Sequence, residues 1–178
     1  MPSDVQTAMR DSQHYFRTLV MPEFLKTFGG KIEVVEGLPH SLTQKLDMAA
    51  GIDAVYEPPG YGPYGLALRV QYGRNYESFT VRCQRESGAK TEFAKRQESL
   101  RQGTLAPTLT LQAYVDRERN KLLGGAVART EDVLRCIELG HCNKHVTGTN
   151  EIGRAAFYSV AWNTLDRQNM RCGRFGMS

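Results

Sequence analysis

Long apolar runs are missing from this sequence. Nothing approaches the roughly 20 consecutive apolar residues that a membrane-spanning helix needs, so no membrane partner is expected. The start, Met1-Pro2-Ser3-Asp4-Val5-Gln6, has neither a basic segment nor an apolar core, which argues against a signal peptide. Cysteine is sparse. Cys83, Cys136, Cys142 and Cys172 are too scattered for a secreted disulfide framework, and a reduced, cytoplasmic setting is the expectation. The Gly/Tyr-rich stretch 60–65 lacks the Lys-Ser/Thr ending and following helix of a phosphate-binding loop. No Ser or Cys sits in an elbow motif, and His14 and His40 have no nucleophile nearby in sequence, so triad-type hydrolysis has no support. With no internal repeat and no linker-like stretch, residues 1–178 read as one domain, long enough to bury a core without staples.

What is present is ordinary for a globular chain: 40% hydrophobic and 24% charged residues. Lys and Arg number 23 against 19 Asp and Glu, and this +4 balance leans toward an anionic partner without establishing one. The cations are bunched. Arg82, Arg85, Lys90, Lys95, Arg96 and Arg101 fall close together, and Arg117, Arg119, Lys121 and Arg129 follow. Clustered Lys/Arg beside a sheet suits phosphate contacts, although the interleaved Glu86, Glu92 and Glu98 equally suit a solvated helix face.

In chain order, apolar residues at helical spacing predict a helix over 4–28, kinked near Val20-Met21 by Pro22 and ended by Gly29-Gly30. A strand follows at 31–36. Residues 51–57 and 66–72 alternate apolar and polar positions, and the Pro/Gly-rich link between them makes them a hairpin. A third strand is expected at 78–84, completing a three-stranded meander, then a charged helix at 91–102. Strands at 107–115 and 121–129 precede a helix capped by Thr130. After a loop through 147–150 comes an amphipathic helix over 151–168, and a frayed tail from about 169. The result is an α+β chain built on a central mixed or mostly antiparallel sheet flanked by helices.

The hairpin places Asp53 on one strand and Arg69-Val70-Gln71 on its neighbour. An early acidic residue on one strand, then two polar residues one apart on the next, resembles the PD-(D/E)xK nuclease superfamily. That resemblance implies a restriction-endonuclease-like fold, a core of helix, three-stranded meander, helix and strand. It also implies a metal-dependent nuclease, a hydrolase cleaving DNA phosphodiesters with Mg²⁺ or Mn²⁺, and homodimers are common in the fold class. Asp53 stands for the motif Asp, and Arg69-Val70-Gln71 stands where the family has Glu/Asp-x-Lys. Gln in the last position is a tolerated variant; Arg in the acidic position is a departure. By this resemblance Asp53, Gln71 and Lys90 are the catalytic candidates, with Lys95 an alternative to Lys90 for the missing lysine. Asp53, Glu23 and Gln71 are the metal candidates, with Glu36, Asp47 and Glu57 as other sources of a second acid.

Arg69, Arg82, Lys95 and Arg96 are the candidate nucleic-acid contacts. The alternative is a catalytically inactive nucleic-acid-binding or inhibitor protein on the same scaffold, with Arg69 neutralising the old site. In a purely structural reading Asp53 caps a turn or pairs with Arg69 across the hairpin. Cys136, His141, Cys142 and His145 are all zinc-binding types, but their spacing is not that of a standard finger.

Overall fold

A computed structural model describes residues 11–35, 51–85, 90–147 and 155–177. The first helix is continuous through Pro22 but pays for it in geometry. A π-helical turn at Phe16–Val20 leads into α1, Met21–Phe28, and the Met21 N–H donates to the Phe16 carbonyl. Pro22 has no N–H, and its ring crowds the carbonyl four residues back; the wider turn absorbs both, where the sequence predicts a kink.

Among the described residues nine strands follow: β1 Lys31–Val34, β2 Ala54–Glu57, β3 Tyr64–Tyr72, β4 Ser78–Arg85, β5 Leu109–Asp116, β6 Lys121–Arg129, β7 Asn143–Thr147, β8 Ala155–Ala161 and β9 Cys172–Phe175. Three further helices are α2 Glu92–Gln102, α3 Thr130–Glu138 and α4 Trp162–Arg167. β1, β2, β3, β5, β6 and β9 form, in that order, a six-stranded mixed sheet, in which only β3 and β5 run parallel. β4, β8 and β7 form a second, antiparallel sheet. Among the described residues no helix is long and apolar enough to cross a membrane.

The expected hairpin is present, with Ala54 opposite Leu66. The meander, however, is β1-β2-β3. The predicted third strand, β4, leaves for the second sheet because the free edge of β3 is taken in parallel by β5. Strand alternation gives the central sheet two different faces. Phe16, Val20 and Phe24 pack against one face, on Tyr56, Leu66, Val70, Leu111 and Val115. The other face carries Arg69, Gln71, Gln112 and Tyr114 and is covered by the second sheet with α2 and α3, around Phe79, Val133, Val160 and Trp162.

Four expectations are corrected at the C-terminal half. The helix predicted over 151–168 is, in its described part, strand β8 and then the short α4. The loop before it begins as strand β7, and residues 148–150 lie outside the described residues. The tail predicted to fray is β9, pinned to β6 with Phe175 buried over Gly125, where a Cβ would collide with its ring. Thr130 is the first residue of α3 and not its cap; its hydroxyl pairs with that of Thr110 at 2.9 Å.

Candidate functional site

The N-terminal end of β2 and the middle of the antiparallel β3 meet α2 on the second face of the sheet. Asp53 immediately precedes β2. Its N–H donates to the Leu66 carbonyl at 2.9 Å, and its Oδ2 accepts the Leu68 N–H at 2.6 Å. One carboxylate oxygen thereby extends the β2–β3 ladder past its last residue pair, a charge-assisted bond that fixes the side chain. Asp53 is not the ion-pair partner of Arg69. Arg69 Nη2 donates to both oxygens of Glu92, at 2.5 and 2.7 Å.

Glu92 owes its place to a well-specified helix start. The Thr91 side chain accepts the Ala94 N–H at 3.3 Å, and Gly103 closes α2 in the left-handed region at φ 62°. Phe93 packs edge-on against Tyr158 at 5.3 Å. This rotation turns Glu92 and Arg96, one helical turn apart, toward the sheet, and leaves Leu100 43% exposed. The Arg82 N–H also donates to Glu92 Oε2 at 3.4 Å. Burial pushes the Glu92 carboxyl up, but Arg69, Arg96 and Arg82 outweigh it and hold the group below the usual carboxylate range. Burial pushes the Arg96 guanidinium down; Glu92 opposes this, Arg69 adds to it and Asp53 opposes it. Arg96 stays charged at neutral pH all the same.

Phe157 of β8 holds two of these cations, with the guanidinium carbons of Arg69 and Arg82 each 5.3 Å from its ring centre. Between these groups lies a cavity of about 140 Å³, lined by Asp53, Leu68, Arg69, Thr80, Glu92 and Arg96, among others. Three guanidiniums against two carboxylates leave one positive charge in excess.

Gln71 has a different task. Fully buried Gln112 accepts the Thr80 N–H through Oε1 at 3.3 Å, which fixes its amide orientation, since a backbone N–H can only donate. Its Nε2 therefore donates to Gln71 Oε1, at 2.9 Å. The carbonyl oxygen that a metal would use is engaged in joining β3 to β5 and, through Thr80, to the second sheet.

The other candidates scatter. Glu23 lies on α1, 3.5 Å from Lys26, with the central sheet between it and Asp53, so it is not a second ligand. Lys90 is exposed and ion-paired to Glu98 at 2.6 Å, and Lys95 is exposed on α2. Glu57 is exposed at the far end of β2, while Glu36 and Asp47 lie outside the described residues. Cys136 is buried on α3 with its Sγ 3.7 Å from Met170 Sδ, whereas His141 and His145 are exposed. Among the described residues no three His, Cys, Asp or Glu side chains converge to hold a metal ion.

The structure gathers Asp53, a metal candidate in the sequence, with Arg69, Arg82 and Arg96, candidate nucleic-acid contacts, and adds Glu92, Gln112 and Phe157, which the sequence did not single out for the site. The Glu92/Arg96 pair at i, i+4 was legible; that its face turns inward was not. Comparison with protein-family models, with curated proteins and with solved structures finds no match to this chain.

Proposed function

We propose that this chain is a non-catalytic nucleic-acid-binding protein that takes a backbone phosphate at Arg96. The observation that carries the reading is the engagement of the oxygens a hydrolytic metal would need. Glu92 is taken by Arg69 and Arg82, the Gln71 carbonyl by Gln112, and one Asp53 oxygen by Leu68. A hard dication asks for six or more oxygen ligands, and a guanidinium in their midst opposes it. The described donor set does not fit Mg²⁺ or Mn²⁺.

An anion fits better. Arg96 lines the cavity and makes no hydrogen bond to a carboxylate among the described residues, and Lys95 stands beside it on the exposed side of α2. A helix, an antiparallel meander, a further helix and a strand parallel to β3 support a restriction-endonuclease-like scaffold that has exchanged its metal site for an arginine cluster. The inserted β4 and the second sheet are departures from that core.

Binding of a fluorescein-labelled 20-base-pair DNA, followed by anisotropy from 25 to 200 mM salt, tests the reading. Affinity that falls steeply with salt, and falls again in Arg96→Ala, is the expected result. Salt-independent binding, or Mg²⁺-dependent cleavage lost in Asp53→Ala, would overturn it and return the site to the nuclease reading.

A further inference from the structure

A second concavity lies outside the site described above. Arg129, Asp132 and Arg135 on β6 and α3 face Gln168, Asn169 and Arg171 across a groove of about 410 Å³. Arg129 is paired with Glu131 at 2.9 Å. Arg135 and Arg171 make no ion pair among the described residues, in contrast to Arg117, Arg119 and Arg174, each of which has an acidic partner. Three guanidiniums against Asp132 and Glu131 leave a net positive groove. Its far wall is a fixed turn: the Gln168 and Asn169 N–H groups are bonded back to α4, and β9 anchors the chain just beyond Arg171.

The groove and the Arg96 cavity are reached from neighbouring strands, with Arg129 on the face of its partner Leu109 and Thr110 on the opposite face. Leu109 is opposite Leu66 on one side and Arg129 on the other, and Thr110, next to Leu109, lines the cavity. One strand spacing, about 5 Å, separates β5 at the cavity from β6 at the groove. The two helices that carry the cations are joined by a 2.6 Å hydrogen bond from Gln97 to Glu138. The larger, more open groove suits a passing backbone, whereas the small cavity suits a single phosphate.

We propose that the groove between α3 and the 168–171 turn is a second phosphate-binding surface, carrying the backbone of the nucleic acid whose neighbouring phosphate Arg96 contacts. This rests on the nucleic-acid reading of the cavity, and the two fail differently. The probe is the same labelled 20-base-pair duplex, titrated with wild type, Arg96→Ala and the double variant Arg135→Glu/Arg171→Glu. Both altered arginines of the double variant lie at the rim of an open groove, and circular dichroism melting verifies its fold; Arg135→Gln/Arg171→Gln replaces it if reversal unfolds the chain.

The expected result is at least 10-fold weaker binding by the double variant at 100 mM salt. The slope of log K against log salt should fall in magnitude by about 1.8, at about 0.9 per phosphate contact. A folded double variant with wild-type affinity and slope, beside a weakened Arg96→Ala, removes the groove and leaves the cavity reading standing. Wild type that binds no duplex removes both.

Discussion

Replacing Glu92 by Gln is the sharpest test of how the site is built, because stability and binding should move in opposite directions. The Glu92 and Arg69 side chains are 26% and 21% exposed, and the pair makes two short charge-assisted bonds. Breaking a fully buried pair costs about 3–5 kcal/mol. Partial solvent access to this one, and the amide's ability to keep one acceptor toward Arg69, reduce that to about 2–3 kcal/mol. For a chain of this length the melting temperature should fall by about 4–12 °C at pH 7.

The effect has a defined pH window. The folded Glu92 pKa lies below the unfolded value of about 4.3, so its ionisation stabilises the fold above that value, and the contribution is lost as pH falls through the folded pKa. The gap between wild type and Glu92→Gln should therefore close toward acid. Meanwhile the excess charge at the cavity rises from one to two and Arg69 is released, so duplex affinity at 100 mM salt should rise several-fold. Thermal melts at pH 7, 5 and 3.5, with anisotropy titrations at pH 7, decide the matter. A variant as stable as wild type at pH 7, or a deficit unchanged at pH 3.5, refutes the account of the pair.

Other consequences are more local. Asp53→Ala should lose about 1–3 kcal/mol through the unpaired Leu68 N–H, whereas Asp53→Asn, which keeps an acceptor, should lose less; equal losses in urea melts would mean that the bond is not what Asp53 contributes. Calorimetric titration of Mn²⁺ into wild type should show no tight site, and a stoichiometric micromolar isotherm would restore the metal reading. Gly125→Ala should displace Phe175 and loosen β9, at a cost of about 1–3 kcal/mol and with rapid amide exchange at 172–175; full protection there would contradict the packing. Cys172, whose thiol burial pushes up to about 11 against Arg174 and with Asp166, should alkylate at pH 8 on the order of 100-fold more slowly in the folded than in the denatured protein. Mass spectrometry of timed iodoacetamide labelling would show otherwise if the two rates matched.

Local chemistry alone determined a good part of this molecule. The Pro/Gly link between two alternating segments made the β2–β3 hairpin, and the Thr91 cap with Gly103 bounded α2 within a residue, because these signals act over a few bonds. They also put Asp53, at the start of one arm of the hairpin, beside the strand that carries Arg69, hence the readable half of the site. What tertiary structure decided was partnership. Ala156 and Val160, four apart, fit an inward helix face and an alternating strand alike, and only β4 and β7 on either side made that segment β8. In the same way, Arg69 had an acid within reach on the other arm of the hairpin but pairs with Glu92, 23 residues away. Asp53 was already held by a backbone N–H, and α2 delivered a second carboxylate to a face of the sheet where three arginines needed one. Ion pairs and strand edges are satisfied by whatever packing brings nearest, and packing is a property of the whole chain.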